Sequence, residues 1–315
     1  MRKKISLVGS GNIGGTLAHL IALKELGDIT LIDIVKGVPQ GKALDLAQSS
    51  SVELFDVNIE GSNNYSSLKN SDVVIITAGI PRLPGMSRDD LLETNTKIIS
   101  TIGKAVKKYC PKAFLICITN PLDAMVSILQ SSSKVKHHMC VGMAGILDSS
   151  RMKYFLSKAL NVSIKSIETF VLGGHGDTMV PMIRYTTISG IPIQELIKNK
   201  TISKKRVNDI LKRTQNGGGE INQLLKKGSA FYAPASSAVQ MAESFLKNKK
   251  MILPCAAYLN GEYGVKGLYV GVPVIIGSKG VEKVIKLQLT AIEKKQFNNS
   301  VKAVRKLTNL ALKLS

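Results

Sequence analysis

Lys4-Ile5-Ser6-Leu7-Val8-Gly9-Ser10-Gly11-Asn12-Ile13-Gly14 decides the fold. An apolar run of strand length breaks into glycines spaced G-x-G-x-x-G, and helical periodicity follows over residues 12–26. Each glycine in such a turn has a physical purpose. One makes the tight turn, one lets the backbone approach a pyrophosphate, and one lets strand and helix pack closely. The helix N-terminus adds free N–H groups and the positive end of the peptide dipole. Gly9, Ser10, Gly11, Asn12, Ile13 and Gly14 are therefore candidate cofactor-binding residues. The spacing alone is a weak signal, and FAD proteins share it. Asp33, closing a second apolar strand at 29–33, strengthens it. Its carboxylate can accept hydrogen bonds from both hydroxyls of an adenine ribose and would repel a 2′-phosphate, which argues for NAD over NADP.

Outward from this turn, strand and helix signals alternate. Strands are expected at 4–9, 29–33, 57–60, 73–77, 113–119 and 139–141, with helices at 12–26, 38–48, 89–109 and 122–130. Apolar, β-branched strands separated by helices predict a parallel sheet covered on both faces. After about residue 144 the pattern changes. Helices are expected at 147–160, 203–215, 219–225, 235–246 and 297–314, and strands at 166–172, 180–187, 252–258 and 269–276. The fold class is thus α/β: a Rossmann doubly wound parallel sheet domain over 1–144, followed by an α+β catalytic domain over 145–315. No flexible linker separates the halves, so a shared cleft is expected.

Composition narrows the function. The 315 residues are 44% hydrophobic and 21% charged, which excludes a disordered chain, a collagen and a disulfide mini-protein. Lys+Arg number 43 against 22 Asp+Glu, a formal charge of +21. Residues 1–150 carry 16 basic and 13 acidic groups, net +3, and residues 151–315 carry 27 and 9, net +18. Such an excess invites a polyanion partner. Nucleic-acid recognition would need stacking aromatics among the basic residues, and the 8 Tyr and 7 Phe do not interleave with any lysine run. No secretory leader and no run of ~18 apolar residues is expected to engage a membrane. Cys110, Cys117, Cys140 and Cys255 show no metal-ligand spacing and read as buried thiols of a cytoplasmic protein; no metal is expected.

Arginine is scarce, 8 against 35 lysines. Yet Arg82 and Arg88 both sit in Thr77-Ala78-Gly79-Ile80-Pro81-Arg82-Leu83-Pro84-Gly85-Met86-Ser87-Arg88, a loop after a strand end with the hinge residues of a lid. A lysine-biased chain that keeps arginine there suggests a need for the planar fork that grips a carboxylate. His175, in Leu172-Gly173-Gly174-His175-Gly176-Asp177, is the one histidine flanked by glycines, so a substrate can approach it, and its ordinary pKa near ~6.5 suits proton transfer. Asp148 and Arg151 share a helix face; taken alone, that spacing favours a plain surface ion pair. Asn120 ends a strand at the same sheet edge, where a turn or cap asparagine is also ordinary.

Taken together, GSGNIG, the Asp33 strand end, AGIPRLPGMSR, ITNPLD, ILDSSR, GGHGD and YAPASSAVQM make the chain resemble, over essentially its whole length, the NAD-dependent malate dehydrogenases of the lactate-dehydrogenase-like group. The resemblance implies reversible oxidation of L-malate to oxaloacetate, a step of the tricarboxylic acid cycle. His175 would be the proton acceptor, and Asp148 would hold its tautomer. Arg151 would clamp the C1 carboxylate, Arg88 would polarise the C2 oxygen, and Asn120 would bond substrate beside the nicotinamide. Asn95, Ile118, Thr119 and Asn120 would contact NAD. A homodimer or homotetramer is implied, with a small dicarboxylate as partner and neither nucleic acid nor membrane.

Arg82 is the residue expected to choose the substrate. Lactate dehydrogenases typically carry glutamine at the matching place. An arginine offers a partner to the second carboxylate of oxaloacetate and would be left unpaired over pyruvate. Leu83 departs from the group's usual lysine, a change read as neutral, and Ser236 and Ser237 stay unassigned. The competing expectations are an L-lactate dehydrogenase, a basic nucleic-acid-binding protein and an inactive scaffold.

Overall fold

The computed structural model describes residues 2–81 and 88–315. The first half runs β1 (Lys4–Val8), α1 (Asn12–Leu23), β2 (Asp28–Ile32), α2 (Val38–Glu53), β3 (Ile59–Ser62), β4 (Val73–Ile76), α3 (Arg88–Tyr109), β5 (Phe114–Cys117), α4 (Leu122–Ser133) and β6 (Cys140–Gly142). Every residue of β4 and β5 is buried, as an apolar strand packed on both faces requires. Strand order β3-β2-β1-β4-β5-β6, parallel throughout, reverses direction between β1 and β4. That reversal opens a crevice at the carboxyl ends of these two strands, where open α/β sheets bind ligands. The expected doubly wound sheet is the one found.

The second half contributes α5 (Gly145–Leu160), β7 (Ile167–Glu168), β8 (Val171–Leu172), β9 (Val180–Pro181), β10 (Thr187–Ile188), β11 (Ile191–Pro192), α6 (Ile193–Lys198), α7 (Lys204–Leu225), α8 (Tyr232–Leu246), β12 (Met251–Asn260), β13 (Lys266–Gly277), β14 (Gly280–Val284) and α9 (Ala291–Lys313). Strands β12, β13 and β14 extend the main sheet to nine strands. They join antiparallel at β6, through Ala256 opposite Gly142. One hydrophobic core therefore draws on α1, β1, α8, β12, β13 and α9 together.

Several elements differ from the sequence expectations for physical reasons. The strands expected at 166–172 and 180–187 are each broken. β7 pairs with β10 while β8 pairs with β9, and Thr169 bonds Thr186 side chain to side chain at 2.8 Å between them. The two helices expected at 203–215 and 219–225 are one 22-residue helix, α7, running through Gly217, Gly218 and Gly219. Glycine costs about 1 kcal/mol per residue in a helix interior. Burial of Val207, Ile210, Thr214 and Gly217 along one stripe, together with the Ser203 cap on the Arg206 N–H, outweighs it. Helix α9 starts at Ala291 rather than 297 because Thr290 and Glu293 form a reciprocal capping box.

Candidate active site

The crevice begins where β1 runs into Gly9, whose φ is +105°. A Cβ on Gly9 would strike Thr77 Oγ1 and the Ala78 backbone, and one on Gly14 would collide with the Gly9 carbonyl. Both glycines are thus demanded by close approach of β1, α1 and the end of β4. Helix α1 has no side-chain cap and no acidic residue in its first turn. Its leading N–H groups and positive dipole end are left for an anion. Ser10 N–H donates to Asp33 Oδ2 at 2.7 Å and Val35 N–H to Oδ1 at 3.0 Å, which fixes the carboxylate at the tip of β2. The adjoining cavity of about 730 Å³ is lined by Gly9, Gly11, Asn12, Asp33, Thr77 and Ile118 among others. Uncapped donors for a diphosphate beside a carboxylate for a ribose diol fit NAD, and the buried, unpartnered Ser10 Oγ lies in the same turn.

Thr119 Oγ1 donates to the Ala78 carbonyl at 2.7 Å, tying the end of β5 to that of β4. Asn95, from α3, is 1% exposed. Its Oδ1 accepts from Ile80 N–H at 2.9 Å, and its Nδ2 donates to the carbonyls of Ile80 and Asn120, at 3.2 and 2.8 Å. Its amide thus brackets the walls of the crevice, from behind the lining. Asn120 itself is exposed.

The chemistry-bearing residues converge on a second cavity of about 560 Å³, lined by Asn120, Arg151, His175 and the Gln215–Gln223 side of α7. The two cavities share Ile13, Ile118, Asn120 and Ser229. Helix α5 follows directly on β6, so Asp148 lies in its first turn and Arg151 one turn later. Asp148 is 2% exposed. One of its oxygens accepts from Arg151 Nη1 at 3.1 Å, and the other lies 2.8 Å from His175 Nδ1. A carboxylate only accepts, so Nδ1 carries the proton and Nε2 is left with its lone pair. Burial pulls the His175 pKa down, but the charge and hydrogen bond of Asp148 outweigh it and leave the imidazole above its ordinary value.

The turn carrying His175 is fixed from two other elements. His175 N–H donates to Asp123 Oδ2 at 2.9 Å from α4, and Gly174 N–H to Ser300 Oγ at 2.8 Å from α9. Asp123 is buried, its Oδ1 has no partner, and burial pushes its carboxyl up to about 6 despite the His175 N–H. Neither residue was singled out from the sequence. Asp123 closes the ITNPLD motif and could have been found there, whereas Ser300 lies 126 residues from Gly174 and leaves no local sign.

Gly9, Gly11, Asn12, Ile13, Asp33, Ile118, Thr119 and Asn120 thus line the first cavity, with Ser10 and Gly14 buried in the turn behind them, and Asn120, Arg151 and His175 line the second, with Asp148 buried against Arg151 and His175. Arg82 lies outside the described residues, as does the rest of the lid loop from Leu83 to Ser87. Arg88 is the first residue of α3, with its side chain beyond what is described. Ser237 Oγ donates to the Ala233 carbonyl inside α8. Burial pushes the Cys110, Cys117 and Cys255 thiols up to about 12, so they stay protonated. Among the described residues no group of three His, Cys, Asp or Glu side chains is placed to hold a metal, and no helix is long and apolar enough to cross a membrane.

The family model of the lactate/malate dehydrogenase NAD binding domain matches residues 3–142. That of the lactate/malate dehydrogenase alpha/beta C-terminal domain matches residues 146–314. Among solved structures, malate dehydrogenase from Cryptosporidium parvum is 50% identical, with a TM-score of 0.96 and 98% of each chain covered. Lactate dehydrogenase from Eimeria maxima, solved with NADH and oxamate, is 51% identical with a TM-score of 0.97, over 100% of this chain and 95% of that one. Malate dehydrogenase from Plasmodium falciparum is 41% identical over 99% of each chain, with a TM-score of 0.96.

Proposed function

This chain belongs to the lactate/malate dehydrogenase family of NAD-dependent oxidoreductases, and from that premise we propose that it interconverts L-malate and oxaloacetate. The single observation that carries the reaction is the 2.8 Å contact of His175 Nδ1 with Asp148, which leaves Nε2 basic on a residue that lines the cavity. In the oxidative direction Nε2 takes the proton of the C2 hydroxyl. Asp148 stabilises the imidazolium that results and keeps the ring from turning. Arg151, held against Asp148 by one nitrogen, offers its other N–H groups as a bidentate clamp for the C1 carboxylate. Arg88 draws electron density from the C2 oxygen, and Asn120 donates to the same oxygen from the end of β5. NAD, when bound, accepts the C2 hydride. Asn95 acts at one remove, holding Asn120 and Ile80 where cofactor and substrate meet.

The preference for the four-carbon acid is supported by Arg82 in the lid sequence, a cation suited to a second carboxylate. Steady-state NADH oxidation tests it. The protein should turn over oxaloacetate with kcat/KM at least a hundredfold above that for pyruvate, a step of the size a charge-assisted pair supplies. R82Q should narrow that ratio by at least tenfold. A native preference for pyruvate would mean an L-lactate dehydrogenase instead, and an unchanged ratio in R82Q would take the substrate choice away from Arg82.

A further inference from the structure

Helix α7 buries a stripe at Val207, Ile210, Thr214 and then Gly217. The stripe's spacing calls for a side chain at its fourth position, and the chain supplies none. The space is filled by Arg151. A Cβ built on Gly217 would lie 2.9 Å from Arg151 Cδ and 3.4 Å from its Nε. At the next residue, a Cβ on Gly218 would lie 3.6 Å from Nη2, an ordinary contact. Arg151 Nε is buried without a hydrogen-bond partner, pressed against this bare helix surface. The guanidinium is thus held on one side by Asp148, at 3.1 Å, and on the other by the backbone of α7 at Gly217.

We propose that Gly217 is a positioning residue for substrate binding: its missing side chain lets α7 close on Arg151 and sets where the guanidinium presents its fork to the carboxylate. The proposal rests on the reading of Arg151 as the carboxylate clamp. It also accounts for a glycine kept at about 1 kcal/mol against alanine in a helix interior. Cδ lies in the middle of the arginine stem, so an alanine methyl cannot be met by a swing of the side-chain tip. The stem must move, and with it the fork. Misplacing a positioning group by about 1 Å can cost about a hundredfold in rate, and a smaller shift correspondingly less.

The test is a glycine-to-alanine series on the full-length enzyme with NADH and oxaloacetate. G217A should raise KM for oxaloacetate at least tenfold with kcat changed less, because a clamp acting on substrate and transition state alike is felt in KM. The NADH dissociation constant, read by fluorescence, should be unchanged. G41A, an exposed interior glycine of α2 with open space at its Cβ, should leave KM unchanged and so excludes a general effect of added methyls. A double-mutant cycle covers the case in which G217A folds poorly. In an R151A background there is no Cδ to strike, so the KM effect of G217A should vanish and its melting-temperature penalty should give way to the gain expected for alanine in a helix interior. A G217A penalty that survives in R151A, or a native KM in G217A alone, overturns the proposal. R151K keeps the charge and loses the fork. If R151K has a native KM, the clamp reading falls and this proposal with it. If R151K raises KM while G217A does not, only the role of Gly217 falls.

Discussion

Two buried carboxylates flank His175, and they act in different ways. Asp148 meets the ring, and its charge holds the imidazole above the ordinary histidine pKa against the pull of burial. Oxaloacetate reduction needs the protonated ring, so its rate should be full below that raised pKa and fall as pH rises through it; malate oxidation should show the opposite limb. D148N removes the charge that raises it. The reductive limb should then move to lower pH and kcat should fall by about a hundredfold, the scale of a misdirected general acid. A pH–rate profile that D148N leaves in place would remove Asp148 from that role. Asp123 meets the backbone instead, through the His175 N–H. Its folded pKa is raised to about 6, so its contribution to stability is full below its unfolded value near ~4 and is lost as pH rises through about 6. D123N should therefore melt higher than the native protein at pH 8 by more than it does at pH 5. D123A, which leaves the His175 N–H without its partner, should lose kcat at least tenfold, and D123N should recover most of it. Asp148, Arg151 and His175 carry chemistry visible in their residue types and motifs. The partners of the backbone around them, Asp123 and Ser300, reach in from remote helices and carry no such mark.

At the scale of elements, what the chain encodes locally was legible and what depends on packing was not. The order from β1 to β6 follows from alternating apolar runs and glycine turns, each a short-range signal. Helix α7 defeats the same reading, because three consecutive glycines look like a break until Arg151 of α5 is placed against the first two. The split of 166–172 into β7 and β8 is equally invisible, since each half answers to a different partner strand. Helix α9 shows the opposite case. Its start is set by Thr290 and Glu293, a local motif that outranks the apolar spacing from Phe297 onward. T290A should lower stability by about 1 kcal/mol in urea unfolding, as loss of an N-cap does. Ser300 lies 10 residues beyond Thr290, well past the frayed turn, so the Gly174 contact should hold and KM for oxaloacetate should not change. A raised KM in T290A would tie the helix start to the His175 turn.

Across the whole molecule the charge is the remaining feature. The +18 of residues 151–315 is carried chiefly by exposed lysines, on helices, turns and strands alike, while the positive groups assigned to the substrate are three of the eight arginines. One acidic group serves several lysines at once. Glu243 on α8 meets Lys24, Lys247 and Lys249, and hydrogen bonding, foremost from Lys249, lowers its pKa to about 2. Among the described residues most lysines have no such carboxylate partner and extend into solvent, where they act on approaching anions over roughly a Debye length, ~10 Å at 0.1 M salt. The proposed substrate and the cofactor are both anions, and the more basic half supplies Arg151, His175 and the α7 side of the second cavity. Such a field speeds encounter without adding a contact in the bound complex. The association rate of oxaloacetate with the NADH complex, followed by stopped flow, should therefore fall several-fold between about 0.01 and 0.5 M salt, with kcat at saturation unchanged. An association rate flat in salt would leave the lysine excess without a part in catalysis; a falling kcat would place the effect inside the closed site, on the arginines, and not in the field around it.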